Sequence, residues 1–120
     1  MEKERDEILV VDDDSEASEI LAELLSQKGY TVARAENGRQ ALDYLTHAKP
    51  GLIILDLMMP EMSGWEFRER QQNDPRLKSI PVVVVSASGL VEHVEAAAVL
   101  SKPLDFGCLM RVVERNIAHP

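Results

Sequence analysis

Residues 52–64 read LIILDLMMPEMSG, an apolar run that ends abruptly in one carboxylate, Asp56, and continues into a turn. Continuous aliphatic runs are typical of strands buried on both faces of a parallel sheet. Such sheets bind ligands outside the carboxyl ends of their strands, so we expect Asp56 to face a functional site. Residues 8–14 read ILVVDDD and also end in acids. Two acidic strand ends predict one shared acidic pocket.

The composition is that of an ordinary globular protein. The chain has 120 residues, of which 45% are hydrophobic and 28% charged, and this length suffices to bury a core without disulfides or a structural metal. We expect one domain over residues 1–120, with an ordered core of about 7–118. The net charge is −8 and the basic residues are scattered. This argues against direct nucleic-acid binding, which needs clustered Lys and Arg.

The sequence also indicates where in the cell the protein is located. The N-terminal MEKERDE is too charged for a signal peptide, and no apolar run approaches the roughly 20 residues that span a bilayer. The lone Cys108 cannot form an internal disulfide, and no Cys/His cluster has zinc spacing. We therefore expect a cytoplasmic protein without membrane insertion, in which Cys108 is a buried structural thiol.

Strand-like and helix-like segments alternate along the chain, five of each, which favours a parallel sheet with helices on both faces. Asp14 or Ser15 is expected to cap the first helix, and Gly29 to end it in the left-handed conformation. The predicted strands cover residues 8–12, 31–35, 52–56, 81–86 and 98–100. The predicted helices cover 15–27, a second helix from the turn at 36–38 to the stop at 49–51, then 64–73, a short helix at 90–96, and 105–118.

With right-handed crossovers this order predicts a doubly wound (βα)5 sheet with strand order 2-1-3-4-5, the flavodoxin-like α/β arrangement. Strands 1 and 3 then flank the switch point, and these two strands carry the acids. Ser86 closes strand 4 and Lys102 follows strand 5. All candidate polar groups converge on one edge of the sheet.

A cluster of Asp12, Asp13 and Asp56 disfavours ionisation unless a cation neutralises it. Oxygen ligands without His or Cys select a hard ion, so we expect Mg²⁺, with Mn²⁺ as the alternative. Lys102 adds a positive charge and Ser86 a hydroxyl donor. We expect the phosphoryl oxygens to be bound by the metal ion, the Lys102 ammonium and the Ser86 hydroxyl. Asp56 is then placed to attack phosphorus and form an aspartyl phosphate.

These segments resemble the receiver domain of bacterial two-component response regulators over nearly the whole chain. The resemblance is carried in order by ILVVDDD, IILDLMMPEMSG, VVVVSAS and SKPL, and four motifs in order are far more specific than any one. It implies a phosphoacceptor signalling domain rather than an enzyme, with self-catalysed phosphorylation and dephosphorylation. The implied partners are a sensor histidine kinase or histidine phosphotransfer protein and an unknown downstream effector protein.

The resemblance also implies roles for individual residues. Asp56 would be the phosphoacceptor, and the metal would be held by Asp13, Asp56, the Met58 backbone carbonyl and, through water, Asp12. Around the phosphoryl group it implies Ser86 as the switch hydroxyl, the Ala87 backbone amide as a donor, Lys102 as the charge partner and a cis peptide bond at Pro103.

The chain departs from the family pattern near its fifth strand. Val99 occupies the position where the family commonly has the aromatic partner of the switch hydroxyl. The segment from Ser86 to Lys102 is also shorter than usual, so we expect the fourth helix to be short or irregular.

Met58 and Ser88 occupy the positions where family members tune attack of water on the acyl phosphate. Neither side chain orients water strongly, so we predict a longer phosphoryl lifetime than in receivers with a carboxamide and an acid there. Decay of the phosphoprotein at neutral pH, followed by intact mass, tests this prediction, and a half-life of seconds would contradict it.

Other interpretations remain open at the level of sequence. Asp56 and Lys102 can form a simple salt bridge, Ser86 can bond only backbone, and His47, His93 and His119 are interpreted as surface residues. A phosphorylation-independent pseudo-receiver or adapter is the main alternative function. A haloacid dehalogenase-type phosphatase needs a second Asp where Met58 stands, and a nucleotide-binding relative needs a Gly-rich loop after strand 1. No output domain fits in these residues, so the chain is either a stand-alone receiver or a piece of a larger protein.

Overall fold

The computed structural model describes residues 7–57, 64–86, 96–102 and 104–117. Within these ranges strands and helices alternate as the sequence predicts up to the fourth strand, and most of the segment between the fourth and fifth strands lies outside them. The strands are β1 (Glu7–Val11), β2 (Thr31–Ala35), β3 (Leu52–Asp56), β4 (Val82–Ser86) and β5 (Ala98–Ser101). The helices are α1 (Ser15–Gln27), α2 (Gly38–Tyr44), α3 (Gly64–Gln72) and α4 (Phe106–Asn116).

The five strands form one parallel sheet in the order β2-β1-β3-β4-β5, which confirms the predicted flavodoxin-like topology. Every residue of β3 and β4 is buried, as expected for central strands covered on both faces. Among the described residues, no helix is long and apolar enough to cross a membrane.

Each face of the sheet carries its own core because successive side chains of a strand point to opposite faces. Leu9 and Val11 of β1 pack with residues of α2 and α3, including Phe67. Ile8 and Val10 pack on the other face with residues of α1 and α4. Of the four helices in the described residues, α2 and α3 thus cover one face and α1 and α4 the other.

The ends of α1 follow the local chemistry expected from the sequence. The Asp14 side chain caps the helix by accepting a hydrogen bond from the Ala17 amide. Gly29 has φ of +99°, the left-handed conformation that glycine adopts without strain. Both predictions are confirmed, and the bounds of α1 agree with the predicted range.

Three predictions about local structure need correction or lie outside the described residues. The second helix ends at Tyr44, well before 49–51, because the Thr46 amide and hydroxyl both bond the Asp43 carbonyl and tighten the last turn. Cys108 is half-buried rather than buried, because Leu109, Met110 and Val113 form the buried face of α4 and Cys108 lies beside it. The predicted short helix at 90–96 falls almost entirely outside the described residues.

Gln71 is a fully buried polar residue of α3 whose side chain forms hydrogen bonds with the segment before β4. Its Nε2 donates to the carbonyls of Leu77 (2.9 Å) and Ile80 (3.0 Å), and its Oε1 accepts from Arg68 (2.9 Å).

Gln71→Ala is expected to lower the free energy of unfolding by about 2–4 kcal/mol, because two carbonyls lose their donor and a cavity opens. Urea denaturation measures the change. Gln27→Ala, at an exposed position in a helix, is the control and should change stability by less than about 0.5 kcal/mol. If both substitutions changed the free energy of unfolding by the same small amount, the Gln71 hydrogen bonds would contribute nothing to stability.

Candidate functional site

The carboxyl ends of β1 and β3 bring the three predicted acids together. Asp56 is the last residue of β3 and is only 6% exposed. Asp12 directly follows β1 and is half-buried, while Asp13 is exposed. One carboxylate oxygen from each of the three lies within 4.8 Å of the others. The predicted acidic pocket is therefore present at this edge of the sheet.

The three carboxylates fit a divalent cation. The oxygen-only donor set suits a hard ion such as Mg²⁺, and without a cation three acids at this spacing would repel one another. Asp56 offers a buried ligand, and Asp13 offers one that is open to solvent.

The loop after β1 separates the acids by role. The Asp12 amide continues the strand ladder by donating to the Ala35 carbonyl (3.0 Å). Asp12 Oδ1 accepts from the Asp14 amide (2.9 Å), an Asx turn that orients the Asp12 carboxylate. Because Asp14 caps α1, the structure assigns it to the helix end and leaves Asp12 and Asp13 at the pocket.

Lys102 lies between two of the acids. Its Nζ is 3.5 Å from Asp56 Oδ2 and 3.6 Å from Asp12 Oδ2. Its amide donates to the Ser86 carbonyl (3.0 Å), which extends the pairing of β4 and β5 and fixes the lysine backbone. Burial lowers the pKa of Lys102, but the charges and hydrogen bonds of Asp12 and Asp56 outweigh it and raise the pKa overall. The ammonium is therefore held in its charged form beside Asp56.

Ser86 and Val99 occupy one face of the sheet near the same edge. Ser86 ends β4 and is 1% exposed. Val99 pairs with Val84, two residues before Ser86, so the side chains of all three lie on the same face. Val99 is 39% exposed. The position that the resemblance assigns to an aromatic residue thus lies on the face of Ser86, where this chain has valine.

Four predicted site residues lie outside the described residues: Met58, Ala87, Ser88 and Pro103. His47 is exposed, as expected, while His93 and His119 also fall outside.

Gly64 is a residue at the site that sequence reasoning did not single out. Its amide donates to the Leu57 carbonyl (3.0 Å). A Cβ at this position would lie 2.7 Å from Leu57 Cα and 2.8 Å from the Asp56 carbonyl oxygen. The signal in the sequence was a glycine soon after the strand-end acid, but the contact itself exists only in the folded chain.

Gly64→Ala is expected to lower the free energy of unfolding by about 1–3 kcal/mol, because backbone at Asp56 and Leu57 must move. It should also weaken Mg²⁺ binding, since Asp56 moves with its backbone. Thermal unfolding and calorimetric titration with Mg²⁺ measure the two effects. The control is Gly107→Ala in α4, where the added Cβ meets only Asp105 Oδ1 at 3.3 Å. A Gly64 variant as stable as wild type and with unchanged affinity would refute the close-approach argument.

Comparisons with known proteins agree with this geometry. The response regulator receiver domain family matches residues 8–114. The response regulator Rre1 of Synechocystis sp. is 35% identical over 119 residues, covering 93% of this chain and 52% of Rre1. The polar-differentiation response regulator DivK of Brucella anthropi is 31% identical over 103 residues, covering 81% of this chain and 84% of DivK.

Solved structures show the same likeness. The response regulator TrrA of Thermotoga maritima, solved in complex with Mg(2+)-BeF, superposes with a TM-score of 0.84 at 30% identity. The match covers 92% of this chain and 98% of TrrA. This chain spans about half the length of Rre1 and most of DivK and TrrA. The sequence match across residues 8–114, the shared fold and the acidic strand-end site together show that the chain belongs to the response regulator receiver domain family.

Proposed function

We propose that this receiver accepts a phosphoryl group on Asp56 in a Mg²⁺-dependent reaction and thereby changes its affinity for a downstream effector protein. One observation carries the proposal: the buried Asp56 shares a pocket with two further carboxylates within 4.8 Å and with an ammonium at 3.5 Å. The phosphoryl donor is a sensor histidine kinase or a histidine phosphotransfer protein. The domain is residues 1–120 as one unit.

The acids have distinct parts in the proposed reaction. A carboxylate oxygen of Asp56 attacks phosphorus in line with the leaving group, which departs with the electrons of the broken bond. Bound Mg²⁺ supplies positive charge that offsets the phosphoryl oxygens. Asp13, Asp56 and the Met58 carbonyl would ligate it directly, and Asp12 would act through water. That TrrA was solved in complex with Mg(2+)-BeF supports a magnesium site in this chain.

The remaining polar groups act on the phosphoryl oxygens. The ammonium of Lys102 is already held beside Asp56 and stabilises the charge that develops during transfer. Ser86 and the Ala87 amide donate hydrogen bonds to the product. With Val99 in place of an aromatic residue, the change that follows phosphorylation is carried by Ser86. Met58 and Ser88 set the slow loss of the phosphoryl group.

The proposal is tested by intact mass after incubation with acetyl phosphate and Mg²⁺. We expect a gain of about 80 Da, the mass of one phosphoryl group, which a metal chelator prevents. No gain in a protein that still binds Mg²⁺ would refute the proposal and favour the phosphorylation-independent adapter. Turnover of phosphate esters instead of a stable adduct would favour a phosphatase.

A further inference from the structure

Helix α3 is attached to the rest of the protein by a narrow set of contacts. Its sequence, GWEFRERQQ, is mostly polar, and the residues that it buries are Gly64, Phe67 and Gln71. These positions are three and four residues apart, so they lie on one face of the helix. The other side chains of α3 are exposed or half-buried. A small displacement of this helix therefore disturbs few buried contacts.

The two ends of α3 are held in different ways. At the C-terminal end, the hydrogen bonds of the Gln71 side chain fix the helix to the segment before β4. At the N-terminal end, the Gly64 amide donates to the Leu57 carbonyl. An added Cβ at Gly64 would lie 2.8 Å from the Asp56 carbonyl oxygen and 2.7 Å from Leu57 Cα. The backbone of the first turn thus lies in contact with the backbone of the phosphoacceptor.

The backbone at Asp56 is paired on one side of the strand. The pairing of β3 with β1 ends at Leu55, whereas its pairing with β4 continues to Asp56. The next residue, Leu57, accepts the hydrogen bond from α3. Because protein interiors are close-packed and have few voids that absorb movement, a shift of the backbone at Asp56 is passed to the first turn of α3.

We propose that binding at the acidic site displaces the first turn of α3, so that the surface beside Trp65 differs between the empty and the occupied receiver. This inference rests on the proposed metal and phosphoryl site at Asp56, and it adds an element that carries the change to the surface. Asp56 is 6% exposed, which leaves its side chain little room to accept a ligand without movement of its backbone. Trp65 is half-buried at the edge of the core, where such a displacement changes its surroundings.

Hydrogen exchange of the full chain tests the displacement directly. Exchange is measured residue by residue for the protein alone, with Mg²⁺, and with Mg²⁺ and acetyl phosphate. We expect the exchange rates of the amides at 64–67 to change by about twofold or more, while those at 71–72 stay constant because Gln71 holds that end. Trp65 is the single tryptophan of the chain, so its emission should change with the same Kd for Mg²⁺ that calorimetry gives.

The reverse effect supplies a second test, because coupling between two parts of a protein is reciprocal. Phe67 is buried in the core between α3 and the sheet. Phe67→Leu loosens the contacts of α3 and lowers the cost of displacing it, so we expect the Kd for Mg²⁺ to fall by about twofold or more. Leu25→Val trims a fully buried side chain of α1 on the opposite face and should leave this Kd unchanged.

The outcomes separate this inference from the proposed function. A phosphoryl mass gain without a change in exchange at 64–67 overturns the inference and leaves the phosphoacceptor proposal intact. A change in Trp65 emission alone also overturns it, since a nearby metal can alter the emission without moving the helix. An unchanged or higher Kd in Phe67→Leu, folded as shown by circular dichroism, overturns it as well.

Two further outcomes complete the test. If Phe67→Leu does not fold, the exchange series on the wild-type protein decides by itself. A protein that binds Mg²⁺ but gains no phosphoryl group overturns the proposed function, and exchange with Mg²⁺ alone then decides whether α3 responds to the site. A protein that binds no Mg²⁺ overturns both proposals.

Discussion

Asp56→Asn is expected to abolish the phosphoryl adduct completely, with no mass gain at any concentration of acetyl phosphate or phosphorylated kinase. The amide lacks the charged oxygen that attacks phosphorus, and its nitrogen cannot replace it as a nucleophile. Asparagine has nearly the same shape as aspartate, so the buried position at the end of β3 stays filled. The loss therefore reports chemistry rather than unfolding, which circular dichroism verifies.

Asp14→Asn is the matched control for this substitution. It makes the same chemical change at an acid that is close to the pocket in sequence but outside the three-acid cluster, and asparagine caps a helix as well as aspartate does. Since the Asp14 side chain caps α1, phosphorylation should persist at close to the wild-type rate. Phosphorylation of the Asp56 variant, or its loss in the Asp14 variant, would show that the phosphoacceptor has been assigned to the wrong acid.

Lys102→Met is expected to slow phosphorylation by about 100-fold, because one positive group that stabilises the transferring phosphoryl oxygens is removed. The same substitution should tighten Mg²⁺ binding. The ammonium lies 3.5 and 3.6 Å from two of the carboxylates and therefore competes with a cation for them. We expect about a fivefold lower Kd, equivalent to roughly 1 kcal/mol, the upper end for a partly exposed ion pair.

Simple damage to the site would slow phosphorylation and also weaken Mg²⁺ binding. Slower phosphorylation together with tighter Mg²⁺ binding therefore distinguishes competition by the lysine from such damage. Mg²⁺ affinity is measured by calorimetry, and Mn²⁺ binding by electron paramagnetic resonance gives an independent value. Lys78→Met removes the same charge from an exposed position and should change neither quantity by more than about twofold. Weaker metal binding in Lys102→Met would mean that the lysine organises the acids instead of competing at them.

Much of the fold could be predicted from the sequence because its signals are local. Five apolar segments alternate with helical segments, and the resulting order of strands was confirmed. The Asp14 cap and the left-handed Gly29 were predictable for the same reason, since each depends on neighbours a few residues away. The convergence of Asp12, Asp56 and Lys102 followed from the rule that parallel strands end at one edge.

Other features depend on how distant segments pack. The early end of α2 is a local exception, which hydrophobic periodicity does not reveal because hydrogen bonds from Thr46 to the Asp43 carbonyl decide it. Gly64 became important only when α3 was placed against the backbone of Leu57. The bridging position of Lys102 depends on the pairing of β5 with β4.

The sequence by itself determined which strands are central and buried and which acids stand at strand ends, because apolar runs and strand termini are properties of short segments. Tertiary structure alone decided the separations of Lys102 from Asp56 and of Gly64 from the backbone of Asp56 and Leu57. Those separations are set by the packing of whole helices on the sheet, and small shifts in that packing change contacts of 3–4 Å between residues far apart in the chain.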